Sequence, residues 1–247
     1  MTWTGTVLPT LLGISVLVAV TAAALTVRGV PHRFAPALAV LRAAAQLAAL
    51  SLVLSSVIER LAWVWVALAV MLVAAVLTAG ARLHAGARTL LRLGIVMVAA
   101  AGTTLAIVFL SGAVATAPQN VLAVGGIVIG NTMSIATLTG RRFRADVVER
   151  RDEVEGWLAL GATPRRSTLG IARQAVAEAL VPSVDQTRTT GMVVLPGAFV
   201  GAVFAGASPL EAGRFQLVVL ASILAAGALV AVGLTEVLGK ARTVPTE

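Results

Sequence analysis

Seven runs of about twenty apolar residues each leave this chain few folds to choose from. They lie at roughly 6–27, 37–57, 61–80, 93–111, 120–139, 189–207 and 215–238. As helices, runs of this length cross about 30 Å of hydrocarbon. They are continuously apolar rather than alternating, so helices are expected and not a barrel. Hydrophobic residues make up 58% of the 247 and charged residues 12%, too little polar surface for a soluble domain of this size. The expected fold is an all-α, polytopic, single transmembrane domain over residues 1–247, with about seven spanning helices.

The charges outside the runs orient it. Arg28, Arg33 and Arg42 follow the first run, Arg82, Arg88 and Arg92 follow the third, and the largest cluster follows the fifth. Lys240 and Arg242 close the chain, whereas Arg60 and Arg214 stand alone between the other pairs. The positive-inside bias therefore puts 17 of the 19 basic residues in the cytoplasm, with the N-terminus outside and the C-terminus inside. Trp3, Trp63 and Trp65 fall at the external ends of runs one and three, the level that indole favours. The first run has no basic residue before it, so a cleaved secretory signal is not expected. The location read from this pattern is the inner (plasma) membrane.

Several chemistries are excluded. With no cysteine there is no disulfide framework, thiolate metal site or cysteine nucleophile. The net charge of +8 sits beside spans rather than in an aromatic-interleaved basic patch, so nucleic acid is not an expected partner. No phosphate-binding loop exists: Gly233 to Lys240 has the wrong spacing and Ala241 follows the lysine. Neither a His-Glu-x-x-His nor a Gly-x-Ser-x-Gly motif is present, and no His, Cys or carboxylate cluster forms a metal site. The metal ligands, if any, stay unknown. By this reading the central membrane lacks Asp, Glu and His, with Glu236 near the inner end of the last run. A self-powered antiporter is then disfavoured, and a secondary transporter or channel remains the alternative to a permease driven by another subunit.

Residues 140–188 contrast with everything around them, holding nine basic residues and seven of the 11 acids. From Phe143 the segment reads as an amphipathic helix with Phe143, Val147, Val154, Trp157 and Leu158 on one face. Gly161 suits a left-handed C-cap, and Thr163-Pro164 suits an N-cap followed by proline at the first position of a second helix. That helix is expected to stop near Pro182, with Asp185 or Thr187 capping span six. Two readings fit the pattern. The insert is an interfacial helix or a continuation of span five, or it is a cytoplasmic coupling helix that docks on an ATPase.

Gly130-Asn131, Leu160-Gly161-Ala162-Thr163-Pro164 and Ala179-Leu180-Val181-Pro182-Ser183-Val184-Asp185 occur in that order. Thr190-Gly191-Met192-Val193-Val194-Leu195-Pro196-Gly197 and Phe204-Ala205-Gly206-Ala207-Ser208-Pro209 follow. Together they resemble the FetB-type permeases, iron-export ABC transporter subunits whose plant relatives are linked to aluminium tolerance. The matching block covers about residues 125–220, and the first three spans match only in hydropathy and length. The resemblance implies a permease dimer working with a cytosolic ATPase that binds ATP and Mg, this chain holding no cofactor. The implied coupling residues are Phe143, Val147, Val154, Trp157, Leu158, Gly161, Ala162, Thr163 and Pro164. The iron substrate comes from this resemblance alone.

Within the spans, Pro196 and Gly197 predict a kinked span six, and Gly197–Gly201 and Gly126–Gly130 are Gly-x-x-x-Gly steps. Close packing and a bendable gate both explain them. Asn131 is a buried amide that either bonds across helices or meets the substrate. The candidate path residues are thus Gly130, Asn131, Asp185, Pro196, Gly197 and Gly201.

Overall fold

The computed structural model describes residues 3–239, and the side chains of all of these except 3–7, 53, 55, 56 and 58. Lys240, Arg242 and the Trp3 side chain, used above for orientation, lie outside the described residues. All regular structure among them is helical, in ten helices. The chain divides into two compact units, residues 1–57 and 58–247.

The first unit is a hairpin of α1 (Trp3–Val27) and α2 (Ala35–Ile58). Gly29 (φ +63°) turns the chain, its N–H bonding Thr26 O while the Val30 N–H bonds Leu25 O. This pair of bonds satisfies the last carbonyls of α1. Large apolar side chains such as Leu17, Leu41 and Leu47 are exposed, as on a helix whose solvent is lipid.

The second unit contains α3 (Leu61–Arg82), α4 (Ala87–Leu110), α5 (Pro118–Glu149), α6 (Arg151–Ala159), α7 (Pro164–Ser167), α8 (Leu169–Thr189), α9 (Gly197–Phe204) and α10 (Pro209–Leu238). α5 and α10 pack on each other and form its centre: α3, α4 and α8 lean on α5, and α4, α8 and α9 on α10. Proline at the first position starts both central helices, and α10 adds a capping box between Ser208 and Glu211. Glycine lets these helices approach. A Cβ on Gly125 would lie 2.7 Å from Leu68, one on Gly140 2.7 Å from Leu83, and one on Gly233 2.7 Å from Val96.

The two ends of this unit differ. At one end lie Trp63, the 113–120 connection and the start of α10; Asn120, Ala207 and Glu211 share a cleft there. At the other lie Arg82, Arg88, the 141–168 segment and the end of α10, where Gly239 approaches Thr168 and Arg165.

Six helices are long and apolar enough to cross a membrane: Leu8–Val27, Ala35–Leu52, Leu61–Arg82, Ala87–Leu110, Pro118–Glu149 and Pro209–Leu238. The run at 189–207 is not a seventh continuous helix, as the sequence led us to expect. The chain leaves helical geometry between Thr189 and Gly197, and α9, at 8 residues, rises only about 12 Å. Several local preferences converge on the break. Gly191 takes φ +86°, and Leu195 precedes a proline and is pushed towards extended backbone. The loop bonds itself: Val193 and Val194 donate to Thr189 O, and Gly191 donates to Val194 O at 2.9 Å. These bonds pair part of the loop's own backbone.

Two further expectations are corrected. α8 continues through Pro182 to Thr189, so proline does not end it; the intact helix keeps its remaining backbone groups bonded, which matters most away from water. Asp185 and Thr187 accordingly sit inside α8 and cap nothing. α5 runs on past Gly140 to Glu149, so the first part of the insert is a continuation of that helix, one of the readings the sequence left open.

Candidate functional site

The insert is a hairpin of helices built on the Arg-rich end. α5 stops where Arg150 departs from helical geometry (φ −104°, ψ 31°), and α6 begins at once. α6 ends as expected at Gly161 (φ +85°), whose N–H bonds Leu158 O while that of Ala162 bonds Trp157 O. A side chain at this φ would be strained, which is why glycine closes the helix. Thr163 then caps α7, its hydroxyl accepting from Arg166 N, with Pro164 at the first position.

The apolar stripe divides in two. Phe143, Val147 and Val154 are buried against Ile171 and Ala175 of α8. They therefore hold the insert to the bundle, and of the coupling residues implied above they are not on its exposed surface. Burial of each contributes about 1.5–3 kcal/mol. Trp157 and Leu158, by contrast, are 45% and 38% exposed, and Leu160 beside Gly161 is 83% exposed. These three present an apolar surface at the tip of a well-anchored element.

Ion pairs fix the base of the insert. Arg142 Nε bonds Asp146 Oδ1 (3.1 Å) and Glu178 Oε2 (2.7 Å), tying α5 to α8. Arg165 Nη2 lies 2.7 Å from Glu236 Oε1, tying α7 to α10, and an Arg144 guanidinium N–H donates to Leu83 O in the α3–α4 turn. Within α6 the Arg151–Glu155 pair (2.6 Å) holds the guanidinium pKa above its ordinary value, chiefly through that hydrogen bond. Movement of the insert is thus connected to α3–α4, α8 and α10 together.

The second candidate region is the broken helix. Asn131, midway along α5, donates from Nδ2 to Ile223 O of α10 at 3.0 Å, and Ser183 Oγ of α8 lies 3.5 Å from its Oδ1. The amide thus joins three helices, the cross-helix bonding anticipated from sequence. Gly130, Gly197 and Gly201 have nothing within 4 Å of an added Cβ, so none is a packing notch within the chain. Pro196 does not kink a helix; with φ −65° and ψ 140° it is the N-cap of α9. Beside the break, a cleft of about 420 Å³ is lined by Thr190, Leu195, Pro196, Phe199 and residues of α10. Gln216 lines it as well, 95% buried, and its Oε1 has no hydrogen-bond partner among the described residues. No group of three or more His, Cys, Asp or Glu gathers among the described residues in a way that could hold a metal ion.

Sequence reasoning treated 140–188 as one charged block outside the membrane and so missed what α8 does. Ser183 packs beside Asn131, and Asp185 and Arg188 follow it on the same helix. Both charges are exposed on the bundle near its middle. Asp185 thus stands two residues past Ser183 on a helix that packs against α5 and α10. The signal was available as continuous helical propensity from Leu169 to Gln186, which a proline at 182 obscured.

Residues 8–242 match the UPF0014 family, described as an uncharacterised protein family. The chain belongs to the UPF0014 family. Among similar proteins are the UPF0014 membrane protein STAR2 of Oryza sativa subsp. japonica and Protein ALUMINUM SENSITIVE 3 of Arabidopsis thaliana. Each is 34% identical, over 76% and 66% of this chain and 67% and 59% of the relative. The probable iron export permease protein FetB of Escherichia coli (strain K12) is 34% identical over 52% of this chain and 50% of its own length. The matches thus span about half to two thirds of these relatives. No solved structure matches the chain. This UPF0014 chain is a multi-pass helical membrane protein in a family that includes a probable iron export permease.

Proposed function

We propose that this UPF0014 chain is the permease subunit of an ABC transporter that exports iron or another metal, with ATP and Mg bound by a separate cytosolic ATPase. The observation that carries the reading is the insert: an exposed apolar tip of Trp157, Leu158 and Leu160, on a base paired to α8 and α10. A partner that pushes on this tip moves the broken helix, which is the mechanical requirement for coupling hydrolysis to a path. FetB supports the substrate class and export direction. In this reading the chain crosses the inner membrane seven times, α8 and α9 together forming the sixth crossing, with the N-terminus outside and the Arg-rich end in the cytoplasm. The permease works as a homodimer.

The test is co-purification with a cytosolic ABC ATPase from the same cells, and cellular iron with survival under iron plus peroxide. Cells with the pair should hold less iron and survive better than cells lacking the ATPase. An unchanged iron content would remove the metal assignment, and failure to co-purify would remove the ATPase.

Asp185 favours one second reading. A carboxylate at depth is what a proton- or ion-coupled transporter uses. Transport by vesicles that follows an imposed proton gradient without any ATPase would select it.

A further inference from the structure

α10 turns one face to the cleft beside the broken helix, with Leu210, Gly213 and Leu217 recurring on it at helical spacing. Phe199 of α9 lines the same space. The cleft, about 420 Å³ in volume, is mostly apolar and of a size that takes a small organic molecule. Gly213 keeps it open, since an added Cβ there would meet nothing within 4 Å. Two polar side chains of α10 also line it, Arg214 and Gln216.

Gln216 lies eight residues, about 12 Å, along α10 from Ser208, and is 5% exposed. Its Oε1 accepts from nothing among the described residues, although an amide shut away from water needs partners. Two turns further along α10, the amide of Asn131 meets that need at Ile223 O. At Gln216 no such partner comes, because α8 has left helical geometry at Thr190 and the cleft stands in its place. The Thr190 hydroxyl, which also lines the cleft, donates to Gln186 O at 2.7 Å. Its one proton is therefore not available to the amide. A buried acceptor without a donor thus borders an apolar space, and an occupant of that space can supply the donor.

Arg214 supplies the charge. Among the described residues it joins none of the five ion pairs, and Glu211, one turn back, is held by Ser208 in the capping box. Arg214 lines both this cleft and the one that Asn120, Ala207 and Glu211 share at the Trp63 end. No acid lines the cleft beside the break, so a bare metal cation does not fit it. We infer that this cleft binds a lipophilic organic anion. Its apolar body lies against Phe199 and Leu217, its acid group meets Arg214, and an N–H or O–H donates to Gln216 Oε1. In the permease reading, on which this last step rests, a metal passes here as the complex of such an anion.

The chain has no cysteine, so Leu210→Cys places a single thiol in the lining, at a position 67% exposed. Its alkylation by N-ethylmaleimide is followed on the full-length protein in phosphatidylcholine nanodiscs. The probe is 6-anilinonaphthalene-2-sulfonate, which carries fused rings, an N–H and a sulfonate. It should protect the thiol, whereas Leu110→Cys, 87% exposed at the end of α4, should stay unprotected. In the Leu210→Cys background, Arg214→Gln should raise the protecting concentration of the sulfonate about tenfold. The same variant should leave N-phenyl-2-naphthylamine, the uncharged counterpart, unchanged. Gln216→Leu should raise the protecting concentration of both probes about tenfold without loss of thermal stability, because an unpartnered amide is removed. Gly213→Leu should fill the space and abolish protection by either probe. If phosphatidylglycerol in the disc protects Leu210→Cys without a probe, the anion is a membrane lipid; if it does not, the anion is a solute. These discs hold no ATPase and no metal, so this binding and the permease reading can fail independently. Absence of protection, equal protection of Leu110→Cys, or protection that survives Gly213→Leu would overturn the inference. Loss of stability in both Gln216→Leu and Gln216→Met would do the same, by making the amide structural.

Discussion

Gly227 and Gly130 lie on the two central helices and look alike in sequence, each a small residue in an apolar run. A Cβ on Gly227 would drive into Ile135 while also touching Leu180 and Asn131, from α5 and α8. One on Gly130 would meet nothing. Gly227→Leu should therefore destabilise the bundle by about 1–3 kcal/mol, because two helices must give at once. Gly130→Leu should leave the stability of a single chain unchanged, measured for both by denaturant titration in detergent. Equal losses would show that Gly130 is packed against something outside the chain. At this scale the sequence identified a glycine step at 126–130 but not its use, since spacing says which residues share a face and nothing about what covers it. Asn131 was more legible: a lone amide in an apolar helix must find partners, and it found Ile223 O.

For whole elements, local rules worked where they concern backbone chemistry and failed where they concern partners. The turn at Gly161 and the cap at Thr163 follow from φ and hydrogen-bonding preferences, and both are present. The stripe from Phe143 to Leu158 announces burial, but burial against Ile171 and Ala175 could not be told from burial in another protein. The run at 189–207 reads as a span because hydropathy is blind to backbone; Gly191 and Pro196 carried the contrary signal. A separation of roles within the insert follows. Gly161→Val should cost about 1–2 kcal/mol by forcing a β-branched residue into left-handed geometry. Trp157→Ala removes a half-exposed side chain and should leave stability within about 0.5 kcal/mol. If the tip docks on an ATPase, Trp157→Ala should nonetheless weaken co-purification of the pair by about tenfold, as loss of an aromatic anchor does. Undiminished co-purification would move the docking surface elsewhere.

At the scale of the molecule, the break between α8 and α9 raises the question of whether this stretch crosses the bundle or turns back. Three contacts decide it. Gly239 at the end of α10 approaches Thr168 and Arg165, so α8 starts at the Arg-rich end. Ser183 then meets Asn131 at mid-height. Finally α9 leads to Ser208, the N-cap of α10, thirty residues from Leu238 and about 45 Å away along the helix. Ser208 and Arg166 therefore stand at opposite ends, and the broken helix climbs the full height of the bundle although its middle is not helical. Reporter fusions or single cysteines at Ser208 and Gln119 should be accessible from one side of the membrane, and those at Arg88 and Arg166 from the other. With the Arg-rich end inside, the first pair reports outside. A Ser208 reporter on the same side as Arg166 would mean that α10 does not cross the membrane, and would overturn this arrangement.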